Sequence, residues 1–153
     1  MLQRKQSLYL LLALVVTVLC MSLSLGVIEP KGMGVNSIVY NIGICHGPFK
    51  GTYPEWPLFG LLLVTCPLNI AAIFLFHKRD VQIKLCWVCI VLCVLWYAYF
   101  LHIAFHEFNA VGTFHFNWTV CLPIVAIILY LLARGGIRHD EKLLKAADRI
   151  RSG

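Results

Sequence analysis

Apolar residues come in four long runs along this chain, and the charged residues fall between them. Leu8 to Ile28, Pro57 to Phe76, Leu85 to Phe105 and Trp118 to Ala133 contain no Lys, Arg, Asp or Glu. Their lengths approach the roughly 17–25 residues a helix needs to cross a hydrocarbon layer. Lipid offers no hydrogen bonds to the backbone, so the helix is the fitting structure for each. The pattern predicts helices over 7–28, 57–77, 84–105 and 117–134. It therefore describes an all-α membrane protein, a four-helix transmembrane bundle forming a single membrane domain over 1–153. The fourth run is the shortest, and Arg134 extends it by carrying its guanidinium to the interface. Pro67 marks a kink in the second, with Asn69 beside it as polar glue between helices. Arg4 and Lys5 ahead of the first run resemble the start of a signal peptide. A signal core spans about 7–15 residues and this run is longer, so the first helix is expected to be retained.

The connecting segments have their own patterns. Residues 29–56 are rich in Gly, Pro, Asn and Tyr, and "NSIVYNIGI" within them has strand-like β-branched content. They predict an extracytoplasmic loop with a small hairpin or irregular cap over the helix ends. A second outside loop, about His106 to Asn117, is short and aromatic. Trp56, Trp118, Tyr53 and Phe108 fall where an outer aromatic belt would sit, and Trp87 lies near the other interface. After the fourth run comes "GGIRHDEKLLKAADRIRSG". Gly135 and Gly136 end or bend the helix. A short amphipathic helix over 137–151 then follows, with Asp140 and Glu141 at its N-terminus and Glu141 in register with Lys145. It is expected to lie along the inner leaflet with its basic residues toward anionic lipid headgroups.

Composition agrees with the pattern. The chain is 60% hydrophobic and 13% charged, against about 25% charged in ordinary soluble domains. The net charge of +6 would permit nucleic-acid binding, but the basic residues form no single stripe across the chain, and no nucleic-acid partner is expected. They do set an orientation. Of the 13 Lys and Arg, eleven fall on the side of the two termini and only Lys31 and Lys50 on the other. The positive-inside rule places both termini in the cytoplasm.

The stretch Cys86 to Phe108, "CWVCIVLCVLWYAYFLHIAFHEF", concentrates candidate chemistry. At 100° per residue Cys86, Cys89 and Cys93 share one face within about 60°, while His102 and His106 fall near the opposite one. Metal–ligand bonds are only about 2.0–2.3 Å long, so one ion cannot gather both groups from one straight helix. The CxxC lacks a turn or exposed helix terminus, and its thiols read as small packing residues. The chain's seven cysteines, all but Cys45 inside apolar runs, form no secreted disulfide framework. His102 and His106 at i, i+4, followed by Glu107 and with His46 and His115 in the outside loops, could bind a transition ion. No nucleophile–base pair, phosphate loop or paired carboxylate is present. No catalytic, cofactor-binding or metal residue is therefore assigned, and no enzyme is expected.

Three stretches, "MLQRKQSLYLLLA", "FHKRDVQIKLCWVCIVL" and "LPIVAIILYLLARGGIRHDEKLLKAADRIR", resemble the domain of unknown function 4293 family. These are small bacterial membrane proteins with four predicted spans. The resemblance covers nearly the whole chain and implies a multi-pass protein of the bacterial cytoplasmic membrane, with no activity or site attached. The expected function is a non-enzymatic accessory or scaffold subunit held in the bilayer against a larger membrane complex. The alternative is a small transporter or metal-handling protein using His102, His106 and Glu107.

Overall fold

The structure, a computed structural model, describes residues 2–32, 34–46, 50–52, 56–75, 78–108 and 112–151. Four helices dominate: α1 Leu2–Ser22, α2 Trp56–Phe74, α3 Arg79–Ile103 and α4 Leu122–Arg151. A π-helical turn, Ala104–Phe108, finishes α3, and a 3-10 turn, Trp118–Cys121, leads into α4. Each helix packs against its neighbours in the order α1–α2–α3–α4, and the longest contact closes α4 back onto α1.

The buried positions explain the packing. On α1 they are Leu10, Ala13, Thr17 and Cys20, and on α4 Pro123, Ala126, Tyr130, Ala133, Ile137 and Asp140. The alternating steps of three and four residues keep one stripe facing inward at the shallow crossing angle of a bundle. The outward stripes carry exposed Leu11, Val15, Leu63, Val91, Leu95, Ile128 and Leu131. Three helical stretches, Trp56–Phe74, Arg79–His106 and Trp118–Arg151, are long and apolar enough to cross a membrane. The apolar part of α1, Ser7–Ser22, is shorter.

At one end of the helices sits an antiparallel five-stranded sheet of order β4-β3-β2-β1-β5. Its strands are β1 Ser24–Pro30, β2 Ser37–Tyr40, β3 Gly43–His46, β4 Lys50–Thr52 and β5 Gly112–Phe116. Strand β1, flanked on both sides, pairs Ile28 with Ser37 of β2 and with Phe114 of β5. Two glycines let β1 and β5 meet. A Cβ on Gly26 would lie 2.4 Å from the His115 carbonyl oxygen, and one on Gly112 2.1 Å from that of Glu29.

The sheet corrects three expectations. The fold is mostly helical but not all-α. Helix 1 stops at Ser22 instead of 28, because Ser24–Pro30 becomes the strand that completes both neighbours. Residues 29–56 are not a lone hairpin or loop cap, since the second outside segment adds β5 to the same sheet. Apolarity alone cannot distinguish the end of a helix from a buried strand, and Gly26 with β-branched Val27 and Ile28 tips this stretch to strand.

A further correction concerns Gly135 and Gly136. They interrupt nothing, and the expected segments 117–134 and 137–151 form one 30-residue helix after the 3-10 turn. A mid-helix glycine costs only about 1 kcal/mol relative to alanine. Ile137 (0% exposed) and Asp140 (7%) continue the packed stripe past the pair, which holds the helix straight on.

Two clusters fill the interior. Toward the termini, Leu10, Ala13, Ala72, the three cysteines of α3, Ala126, Tyr130, Ala133 and Ile137 form one. Toward the sheet, Leu25, Ile28, Val39, Leu58, Leu62, Trp96, Phe100 and Ile103 form the other.

Candidate functional site

The most concentrated buried chemistry is a knot of neutral polar groups midway along the bundle, with one contribution from each helix. Asn69 of α2 donates through Nδ2 to the Tyr130 hydroxyl of α4 at 3.0 Å. Thr17 of α1 and Cys89 of α3 flank that hydroxyl. Thr17 Oγ1 also donates back to the Ala13 carbonyl at 2.8 Å. Pro67 shapes α2 here, since it brings no N–H to the helical ladder. One turn earlier, Thr65 Oγ1 and Cys66 Sγ both donate to the Leu62 carbonyl, at 2.6 and 3.6 Å. Asn69 Oδ1 accepts no hydrogen bond from the described residues. Amide, phenol and hydroxyl groups are uncharged at neutral pH, so the knot ties helices together and offers no acid–base pair.

A second polar node joins the sheet to the helices. Asn41, in the turn between β2 and β3, is fully buried. Its Nδ2 donates to the Cys20 carbonyl at the end of α1 at 2.6 Å, and its Oδ1 accepts from Trp96 Nε1 of α3 at 3.0 Å. Nearby, the Tyr97 hydroxyl donates to the Val120 carbonyl and accepts from the Ile124 N–H, fixing the start of α4 to α3. Asn117 caps the 3-10 turn through the Trp118 N–H and reaches Ser24 of β1. Sequence reasoning missed Asn41. The available signal was an asparagine in a turn of a strand-rich segment, and nothing local shows that the turn points into the bundle.

The residues singled out from the sequence separate as helical geometry requires. Cys86, Cys89 and Cys93 lie on the buried face of α3, at 0–1% exposure. His102 and His106 lie on the exposed face with their rings stacked at 4.8 Å. The turn there is π-helical, which shifts the register between them. His115 is on β5, paired with Glu29 at 3.4 Å on the sheet surface. Tyr53 and the side chains of His46, Glu107 and Phe108 lie outside the described set. Among the described residues, no group of three or more His, Cys, Asp or Glu is placed to hold a metal ion.

At the opposite end, the Arg134 guanidinium sits over the Trp87 ring, 4.4 Å from its centroid. This is a cation–π contact of the kind that anchors an apolar helix at its polar boundary. Beyond it, Lys145 Nζ meets Glu141 Oε1 at 2.5 Å, one helical turn apart. The pair holds the Glu141 carboxyl below its usual range and raises Lys145 above its own, in each case chiefly through their mutual hydrogen bond.

These features define a small, mostly helical protein whose buried polar groups join its elements to one another. The chain belongs to a family described as domain of unknown function (DUF4293), which it matches over residues 2–150. No curated protein matches it.

Proposed function

We propose that this chain is a multi-spanning protein of the bacterial cytoplasmic membrane that works as a non-enzymatic accessory or scaffold subunit beside a larger membrane partner. In this reading all four helices span the bilayer, both termini are cytoplasmic and the sheet stands outside. The observation that carries it is the distribution of apolar surface. Only 28%, 39% and 28% of the residues in the three long apolar windows are buried inside the molecule. The remaining leucines, valines and isoleucines point outward, where water would oppose them and lipid or another apolar helix would not. Helix α1 spans despite its shorter apolar stretch, because it packs lengthwise against α4. Arg134 and Arg138, just past the apolar stripe, meet anionic headgroups.

Reporter fusions test the topology. One after Lys50 should report the outside and one after Arg151 the cytoplasm, and a cytoplasmic signal at Lys50 sinks it. Native mass measurement after mild detergent extraction tests the role. A discrete complex larger than the chain is expected, whereas a bare monomer with stoichiometric bound metal would favour a metal-handling or transport role at His102 and His106.

A further inference from the structure

The unbroken course of α4 carries four cations in one exposed stripe. Arg138, Lys142, Lys145 and Arg149 are separated by four, three and four residues. At 100° per residue they fall within about 60° of one another and extend about 17 Å along the axis. All four are exposed. The stripe continues the outward face that carries Ile124, Ile128, Leu131 and Gly135, so one line of positions turns from apolar to basic after Gly135. Two shallow clefts lie along it. One of about 450 Å³ is lined by Lys142, Lys145, Ala146 and Arg149, and one of about 290 Å³ by Arg138, Glu141, Lys142 and Lys145. Lys145 spends one of its three donors on Glu141, which leaves the stripe cationic.

Distance decides what meets it. With the apolar boundary at Arg134, Lys145 and Arg149 stand about 17 and 23 Å further along the helix. The headgroup layer is roughly 5–8 Å deep, and screening at physiological salt has a length of about 8 Å. Headgroups therefore reach Arg138, while the distal half of the stripe lies beyond them as long as α4 runs straight. A second copy of the chain is a poor occupant, since membrane insertion makes the copies parallel and sets the same cations against each other. An apolar face that becomes basic in one line matches a partner helix that is apolar in the bilayer and acidic where it leaves it.

We propose that the Arg138–Lys142–Lys145–Arg149 stripe docks the cytoplasmic extension of a partner's membrane helix, one that presents carboxylates at matching three- and four-residue spacing. The proposal rests on the membrane reading above and names the chemistry of the partner that reading requires.

The test uses the full chain in nanodiscs. Trypsin should cut at Lys145 and Arg149 at rates that agree within about two-fold between phosphatidylcholine discs and discs containing one-third phosphatidylglycerol, because the sites stand clear of the surface. A labelled synthetic helix with four glutamates at 4-3-4 spacing should bind at least about five-fold tighter than a peptide of the same composition with its glutamates spread around the helix. The variant Arg138→Gln/Lys142→Gln/Lys145→Gln/Arg149→Gln should lose that preference and keep its thermal stability. Protection of the tryptic sites by anionic lipid would overturn the proposal in favour of the bilayer surface. Equal affinity for the two peptides, or tighter binding of a DNA duplex than of the aligned peptide, would overturn it as well. Cleavage from outside intact cells would overturn the orientation itself, which the fusion after Lys50 reads separately.

Discussion

The two halves of the interior are built from different materials. Toward the termini the core is made mostly of alanines and cysteines, with Leu10, Ile90 and Ile137 beside a single aromatic residue, Tyr130. Toward the sheet it is made of Trp96, Phe100 and large aliphatics, with Val39 of β2 and Leu25 and Ile28 of β1 among them. Small residues let helix backbones approach closely, so dispersion contacts and a few buried hydrogen bonds can hold helices whose outer faces are apolar. Large residues fill the wider space where the helices end and a sheet is seated on them. Trp96 stacks on Phe100 at 5.1 Å, and Phe100 meets Phe114 of β5 edge-on at 6.2 Å. Both halves join segments distant in sequence, but the terminal half does so through helix faces set by a local three- and four-residue period, whereas the sheet half needs strand pairings between distant segments.

Glycine separates the halves most sharply. Gly112 has no room for a side chain, because a Cβ would press on the Glu29 backbone. Gly112→Ala should push β5 off β1 and cost about 1–3 kcal/mol, read as a lower melting temperature in mild detergent with faster proteolysis of the sheet. Gly135 meets nothing within 4 Å and sits inside a continuous helix. Gly135→Ala should raise stability by about 0.5–1 kcal/mol. The same sign at both positions would break the contrast.

The polar nodes sharpen it further. Asn41→Leu strands the Cys20 carbonyl and the Trp96 indole N–H, both buried at the sheet junction. A loss of about 2 kcal/mol is expected from unpaired buried groups. Tyr130→Phe removes one hydroxyl from the terminal half and leaves the close-packed small residues in place. Interhelical hydrogen bonds between apolar helices average only about 0.6 kcal/mol, so its effect should be a third of that or less. Thermal melts of the two variants in one detergent make the comparison, and a larger loss for Tyr130→Phe would reverse the assignment of which half depends on its polar contacts.

The same contrast explains what could be read from sequence. The helical stretches long and apolar enough to span a membrane follow from run length. The inward face of Cys86, Cys89 and Cys93 follows from 100° periodicity, because helix contacts recur every three or four residues. The sheet was only half visible. "NSIVYNIGI" signals β2 and β3, but β1 lay hidden at the end of an apolar run and β5 in a loop over eighty residues from its partner. Nothing local marks Asn41 as the joint between sheet and bundle. The continuity of α4 through Gly135 and Gly136 was misread for a related reason, since the packing of Ile137 and Asp140 outweighs a local glycine signal.

The smallest expected effect lies outside both cores, on the exposed part of α4. Glu141 is held below its ordinary carboxylate range by Lys145, with Arg79 and Arg138 adding to the same direction, and Lys145 is raised by Glu141 and by Asp80. A depressed acid contributes stability above its unfolded pKa and loses it as pH falls through the folded value. A raised base contributes below its unfolded pKa and loses that as pH climbs through the folded one. Neutral pH lies between these limits, so the pair is fully formed there. Helicity by circular dichroism should therefore be flat from about pH 6 to 9 and decline slightly only in acid, near the carboxylate range. The informative quantity is the difference between the wild type and Glu141→Gln. That difference should shrink toward zero in acid, with the main unfolding transition unmoved, because both partners stand on an exposed turn beyond the packed interior. A Glu141→Gln variant that lowered the main melting temperature at neutral pH would mean the extension is part of the cooperative bundle.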